Sequence, residues 1–219
     1  MASGCRWSSD HGGPRPDGAG GGAGLLETPD IILLDPHEQQ IRSLLTQGAG
    51  SERSAYMLFG IADIKKDPGT QAQRTRMVSH RFEDVGEDDL VSASGKHVTW
   101  QTDGFMRLLN TAKTDGLVPA LVHTHPDGTA KFSEQDDRNE AELARTALLK
   151  GAPGLLSIVI AGTGDIAARI WMQKTKAADI GRILHSGPRL RITGLKGFTD
   201  AFLDRQIRLF GDQASLQVS

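Results

Sequence analysis

The stretch Leu121-Val-His-Thr-His-Pro-Asp-Gly-Thr-Ala-Lys-Phe-Ser-Glu-Gln-Asp-Asp137 sets a strand, a turn and a helix in succession. The apolar run from Leu117 to His125 reads as a strand, and His123 and His125 lie two residues apart at its end. Alternate residues of a strand project from one face, so both imidazoles point to the same side. Pro126 has no amide hydrogen and favours departure from the ladder. A short glycine-containing loop leads to a helix predicted over Ser133 to Lys150, with Ala144, Ala147 and Leu148 inward and an acidic first half. Asp136 falls in its first turn. Two histidines and a carboxylate are a common catalytic zinc set, with the fourth position left to water. The residues alone leave a second reading open: a surface histidine pair beside Ser133-x-x-Asp136, which has the form of a capping box with Asp in place of Glu.

Outward from this stretch the pattern alternates. Downstream, Gly151-Ala-Pro-Gly154 stops the helix, and two strands, Leu155 to Ala161 and Ile166 to Met172, are joined by the hairpin signal Gly162-Thr-Gly-Asp165. The Gly162-x-Gly-x-x-Ala167 pattern falls in that turn and is no nucleotide-binding core. Upstream, Thr102 to Thr114 reads as a helix with Phe105, Leu108, Leu109 and Ala112 on one face. Ser54 to Ile64 and Arg74 to Phe82 read as strands, and the five acidic residues between Glu83 and Asp89 as a solvated loop. A first helix starts at Asp35-Pro36, carries Ile41, Leu44 and Leu45 at helical spacing, and ends at Gly48 to Gly50. The order helix, strands, helix, strand, helix, strands predicts an α/β fold with helices packed on a mixed sheet.

Composition narrows the function classes. The chain has 219 residues, with 25 basic and 27 acidic side chains and a net charge of -2. That balance argues against a bulk nucleic-acid binder and against a polybasic membrane anchor. Its longest apolar runs, Ile31 to Leu34 and Leu155 to Ala161, fall far short of the roughly 20 residues a bilayer needs. The N-terminus carries no apolar signal-peptide core, and Ala2 excludes myristoylation. A single cysteine, Cys5, excludes disulfides within the chain and fits a reducing compartment. The expected location is therefore cytoplasmic, with neither nucleic acid nor membrane as partner. Residues 1–28 read as a disordered tail, since eight of the 26 glycines fall in the first 24 positions. Arg182 to Phe210 differs again, with six basic residues against two Asp, a net of +4.

The pattern His-x-His-Pro-x6-Ser-x2-Asp, filled by His123, His125, Pro126, Ser133 and Asp136, resembles the JAMM (MPN+) zinc metalloprotease motif. The family adds a glutamate at the start of an apolar strand that runs into a glycine. Ser51-Glu-Arg-Ser-Ala-Tyr-Met-Leu-Phe-Gly60 looks like that strand, with Glu52 as the glutamate. Many members place it one residue nearer the glycine, an offset that would turn the carboxylate to the other face. A Glu-x-x-Ala-Tyr pattern like this one is found in bacterial members. The resemblance implies a cytidine-deaminase-like fold over roughly residues 30 to 173. It also implies one zinc per chain held by His123, His125 and Asp136, Glu52 as general base, and Ser133 as hydrogen-bond donor to the oxyanion. It implies an isopeptidase or peptidase acting at the C-terminus of a ubiquitin-like protein. Asp204-Arg-Gln-Ile-Arg-Leu-Phe-Gly-Asp-Gln213 is similar to the opening segment of ThiF-type adenylyltransferases, which implies adenylyltransferase and conjugating enzymes of one pathway as partners. The expected organisation is a tail over 1–28, a metalloprotease domain over 29–175, and a basic appendage over 176–219. Truncation after Met172 should on that plan leave metal binding intact. Two rival readings are a metal-free MPN-type scaffold and a RadC-like protein linked to DNA metabolism.

Overall fold

A computed structural model of the chain describes residues 29–47, 50–67, 73–85, 90–94, 97–100, 102–126, 128–188 and 190–193. The glycine-rich tail, residues 86–89 of the acidic run and the ThiF-like segment lie outside the described residues. The elements follow as β1 (Asp30–Leu34), α1 (Asp35–Gln47), β2 (Ser54–Ile64), β3 (Arg74–Asp84), β4 (Leu90–Ser94), β5 (His97–Trp100), α2 (Thr102–Asp115), β6 (Val118–His125) and α3 (Glu134–Leu149). They continue as β7 (Leu155–Ala161), β8 (Ile166–Trp171), β9 (Ala177–Asp179), β10 (Ile183–Ser186) and β11 (Leu190–Thr193). No helix among the described residues is long and apolar enough to cross a membrane.

Among the described residues, nine strands form one mixed sheet in the order β11-β10-β1-β3-β2-β6-β7-β8-β9, and β4 pairs with β5 as a separate hairpin. Strands β6 and β7 run parallel, and β2 runs antiparallel to both β3 and β6. The central strands are covered on both faces, which is why β7 is a continuous buried apolar run and not an alternating one. One face meets α1: Ile41 and Leu44 pack on Ala55, Met57, Val118, Ala120, Val122, Leu156 and Ile158. The other meets α2 and α3, where Phe105, Leu108, Leu109, Ala112, Ala144 and Ala147 pack on Tyr56, Leu58 and Leu121. The expected mixed α/β architecture is therefore the observed one.

Three differences from the sequence reading stand out. The chain enters the fold by a strand, β1, before the first helix; Ile31 to Leu34 shows no alternation because β1 lies inside the sheet, parallel to both β3 and β10. The hairpin of β4 and β5 was not anticipated. The boundary expected after residue 175 also needs correction. Residues 177–193 are not an appendage but add β9 at one end of the sheet and β10 and β11 at the other. Arg182, counted above among the basic residues of that segment, is buried and its Nε donates to Asp30 Oδ1 over 2.8 Å.

Candidate metal centre

The site forms where β6 ends, β2 begins and α3 starts. Ser54 pairs with His123 in the antiparallel ladder. Just beyond it, the Thr124 amide donates to Arg53 O over 2.9 Å, and the Arg53 amide donates to Thr124 Oγ1 over 2.8 Å. The next residue on β2's lead-in is Glu52, and the next on β6 is His125. Their side chains meet with Glu52 Oε1 3.9 Å from His125 Nε2. The one-residue offset from Gly60 therefore does not turn Glu52 away. Thr124 went unremarked in the sequence; a threonine between two histidines of a strand is an ordinary strand residue by any local signal.

From the other side α3 delivers Asp136. Its Oδ1 lies 3.5 Å from His123 Nε2 and its Oδ2 lies 3.6 Å from His125 Nε2. Among the described residues, His123, His125 and Asp136 offer one ligand atom each within 4.8 Å of one another. Donors sharing one tetrahedral ion at Zn–N and Zn–O lengths of about 2.0 to 2.2 Å sit about 3.3 Å apart. The observed carboxylate–imidazole separations fit that. They are too long for good hydrogen bonds. His123 Nε2 is buried and makes no hydrogen bond, and a buried polar nitrogen without a partner is costly unless something occupies its lone pair. The donor set thus fits a divalent ion of the zinc type.

The supporting contacts set each ligand's state. His125 Nδ1 lies 3.3 Å from Thr129 O, an atom that only accepts, so Nδ1 carries the proton and Nε2 keeps its lone pair for the site. His125 O accepts from the amides of Gly128 (3.1 Å) and Gly162 (3.0 Å). Gly162 is pressed so close to Pro126 that a Cβ there would stand 1.9 Å from Pro126 O. The turn between β7 and β8 thereby fixes the chain's exit from β6.

Ser133 and Asp136 form the capping box of α3. Asp136 Oδ2 accepts from the Ser133 amide (2.6 Å) and hydroxyl (2.8 Å), and the Asp136 amide donates to Ser133 Oγ over 3.2 Å. The capping and ligand readings of Asp136 are compatible through Oδ1: Oδ2 takes the cap and also faces His125, while Oδ1 is turned to His123 and carries no cap bond. Burial works against ionisation of this carboxyl, yet the His123 imidazole and the two Ser133 donors outweigh it and hold Asp136 well below the usual carboxylate range. All five residues singled out in the sequence meet here.

A family model described as prokaryotic homologs of the JAB domain matches residues 34–174 of the chain. Among solved structures, the solution structure of protein DSY2949 from Desulfitobacterium hafniense is 17% identical, with a TM-score of 0.47, over 71% of this chain and 92% of that one. No curated protein matches the chain.

Proposed function

The chain belongs to the family of prokaryotic homologs of the JAB domain, and on that premise we propose that it is a zinc-dependent isopeptidase or peptidase cleaving at the C-terminus of a ubiquitin-like protein. The observation that carries this reading is the meeting of His123, His125 and Asp136 around a buried, unpartnered imidazole nitrogen, with Glu52 beside them. His123, His125 and Asp136 would hold the ion. When bound, zinc supplies a Lewis acid and lowers the pKa of water towards about 7. Glu52 Oε1 takes the proton of the attacking water and passes it to the leaving amine. Ser133 first orients Asp136 through its hydroxyl. As the oxyanion donor implied by the resemblance, that hydroxyl turns from Asp136, which the Ser133 amide continues to hold. The same reading gives the chain an adenylyltransferase and a conjugating enzyme as pathway partners, and the lone cysteine favours the cytosol as its place of action.

The test is a comparison of wild type, His125→Ala and Glu52→Gln. Elemental analysis should find about one zinc per chain in wild type and in Glu52→Gln, and none in His125→Ala. Hydrolysis of a ubiquitin-like protein extended at its C-terminus should fall by about 10²- to 10⁴-fold in Glu52→Gln, because the amide keeps the shape but takes no proton. Cleavage by Glu52→Gln at the wild-type rate moves the base elsewhere. A wild type that holds no zinc and cleaves nothing leaves the scaffold reading in its place.

A further inference from the structure

Behind the ligands lies a second polar cluster that none of the roles above uses. Arg169, on β8, is 6% exposed, and Glu140, on α3, is 3% exposed. Two charges are stable at such depth only when paired and well hydrogen-bonded. Arg169 Nε donates to Glu140 Oε2 over 2.8 Å, and its Nη2 lies 2.7 Å from the same oxygen. The Trp171 indole adds a third contact to that oxygen, donating over 2.9 Å. The other arm of the guanidinium, Nη1, donates to Asp137, the immediate neighbour of Asp136. Asp137 and Glu140 are three residues apart and share one side of the helix. One guanidinium thus grips the first two turns of α3 at two points.

The same group reaches the loop ahead of the helix. Its Cζ stands 3.9 Å over the centre of the Phe132 ring, a cation–π contact, and Phe132 precedes the cap residue Ser133. The Phe132 ring in turn meets His123 in an edge arrangement at 5.9 Å between centroids. We propose that Arg169 is the positioning residue of the metal centre: it sets Asp136 through Asp137 and Glu140, and the His123 ring through Phe132. The inference rests on the metal reading of the site. A planar fork that bonds two carboxylates and stacks on an aromatic face is a property of arginine that lysine lacks. Groups standing behind metal ligands typically change metal affinity about 10- to 100-fold when lost.

The experiment uses the full chain with Zn2+ and Co2+ as probes. Arg169→Lys retains the charge but not the fork or the stack. Asp137→Ala removes only the arm beside Asp136, and since the Asp137 side chain is 59% exposed its loss does not threaten folding. Circular dichroism establishes that each variant is folded at the temperature used. Arg169→Lys should bind both ions about 10- to 100-fold more weakly than wild type, and Asp137→Ala should fall at the lower end of that range. The visible absorption of the Co2+ form should shift and weaken in both, which a purely stabilising role would not produce. An unchanged spectrum and affinity in either folded variant overturns the inference while the metal reading stands. If Arg169→Lys fails to fold, Asp137→Ala decides alone. A wild type that takes up neither ion removes the metal reading, and this inference with it.

Discussion

Thr124 is fully buried between His123 and His125, and its side chain does what a main-chain carbonyl does elsewhere in the ladder: it accepts the Arg53 amide. Thr124→Val keeps the shape and removes the acceptor, so a part-buried donor loses its partner at a cost of about 1 kcal/mol. Denaturant unfolding should show that loss, while zinc content stays at wild-type level because both imidazoles and Asp136 remain. A variant as stable as wild type would mean that Arg53 finds another acceptor at no cost. This residue also marks where local reading stops. His123, His125 and Asp136 were legible because strand alternation and a helix's first turn are properties of neighbours in sequence. Glu52 was reachable only through resemblance, since its place beside His125 is set by the pairing of β2 with β6, across about 70 residues. Arg169 carried no signal at all. Glu140 carried a faint one, a charge on the same stripe as Ala144 and Ala147.

Helix α1 is tied to the last strands of the sheet by Glu38. His185 Nδ1, on β10, lies 2.9 Å from Glu38 Oε2, while Arg42 and Arg191 approach Oε1 at 2.7 and 2.5 Å. Burial, the largest single influence, pushes this carboxyl up, but the hydrogen bonds from His185, Arg42 and Arg191 together prevail and lower it from 4.5 to about 2. A carboxyl whose folded value is depressed stabilises the fold above its unfolded value, and that stability is lost as pH falls from about 4.5 through about 2. Glu38→Gln should therefore lose about 3 kcal/mol at neutral pH, the cost of breaking a buried ionic cluster. The gap from wild type should close as the pH is lowered through that window. Denaturation over a pH series checks this, and a gap that stays constant down to pH 2 rules it out. At this scale the helices were legible from their periodicity, and β2, β3, β6, β7 and β8 from apolar or alternating runs bounded by turn signals. Strands β1, β10 and β11 were not. Each is short, and β1 and β10 become strands by pairing in parallel with each other from opposite ends of the chain.

For the whole molecule, the ligands of the candidate centre all lie before β8, which suggested that a fragment ending at Met172 would hold its metal. The sheet argues otherwise. Removing residues 173–193 takes away β10, which pairs with β1 along four residues, and leaves β1 as a bare edge. It also takes partners from two buried carboxylates: Asp30 loses Arg182 and keeps Arg74 and Arg76, and Glu38 loses His185 and Arg191 and keeps Arg42. A hydrogen bond to a buried charged group contributes about 1.5–3 kcal/mol, against a total stability of about 5–15 kcal/mol for an ordinary domain. The three lost contacts, added to the β1–β10 ladder, take a large share of that margin. Asp30 also contacts Arg74 and Arg76 on β3, so the damage reaches the strand beside β2 and, through β2, the one that leads to Glu52. We therefore expect residues 29–193 to melt cooperatively and to bind about one Zn2+ per chain, and residues 29–172 to show no cooperative transition and to hold substoichiometric metal. The checks are thermal unfolding by circular dichroism and elemental analysis of the two fragments, prepared in parallel. A 29–172 fragment that melts within a few degrees of the longer one would show that β1 tolerates an open edge and that Arg74, Arg76 and Arg42 suffice to hold Asp30 and Glu38.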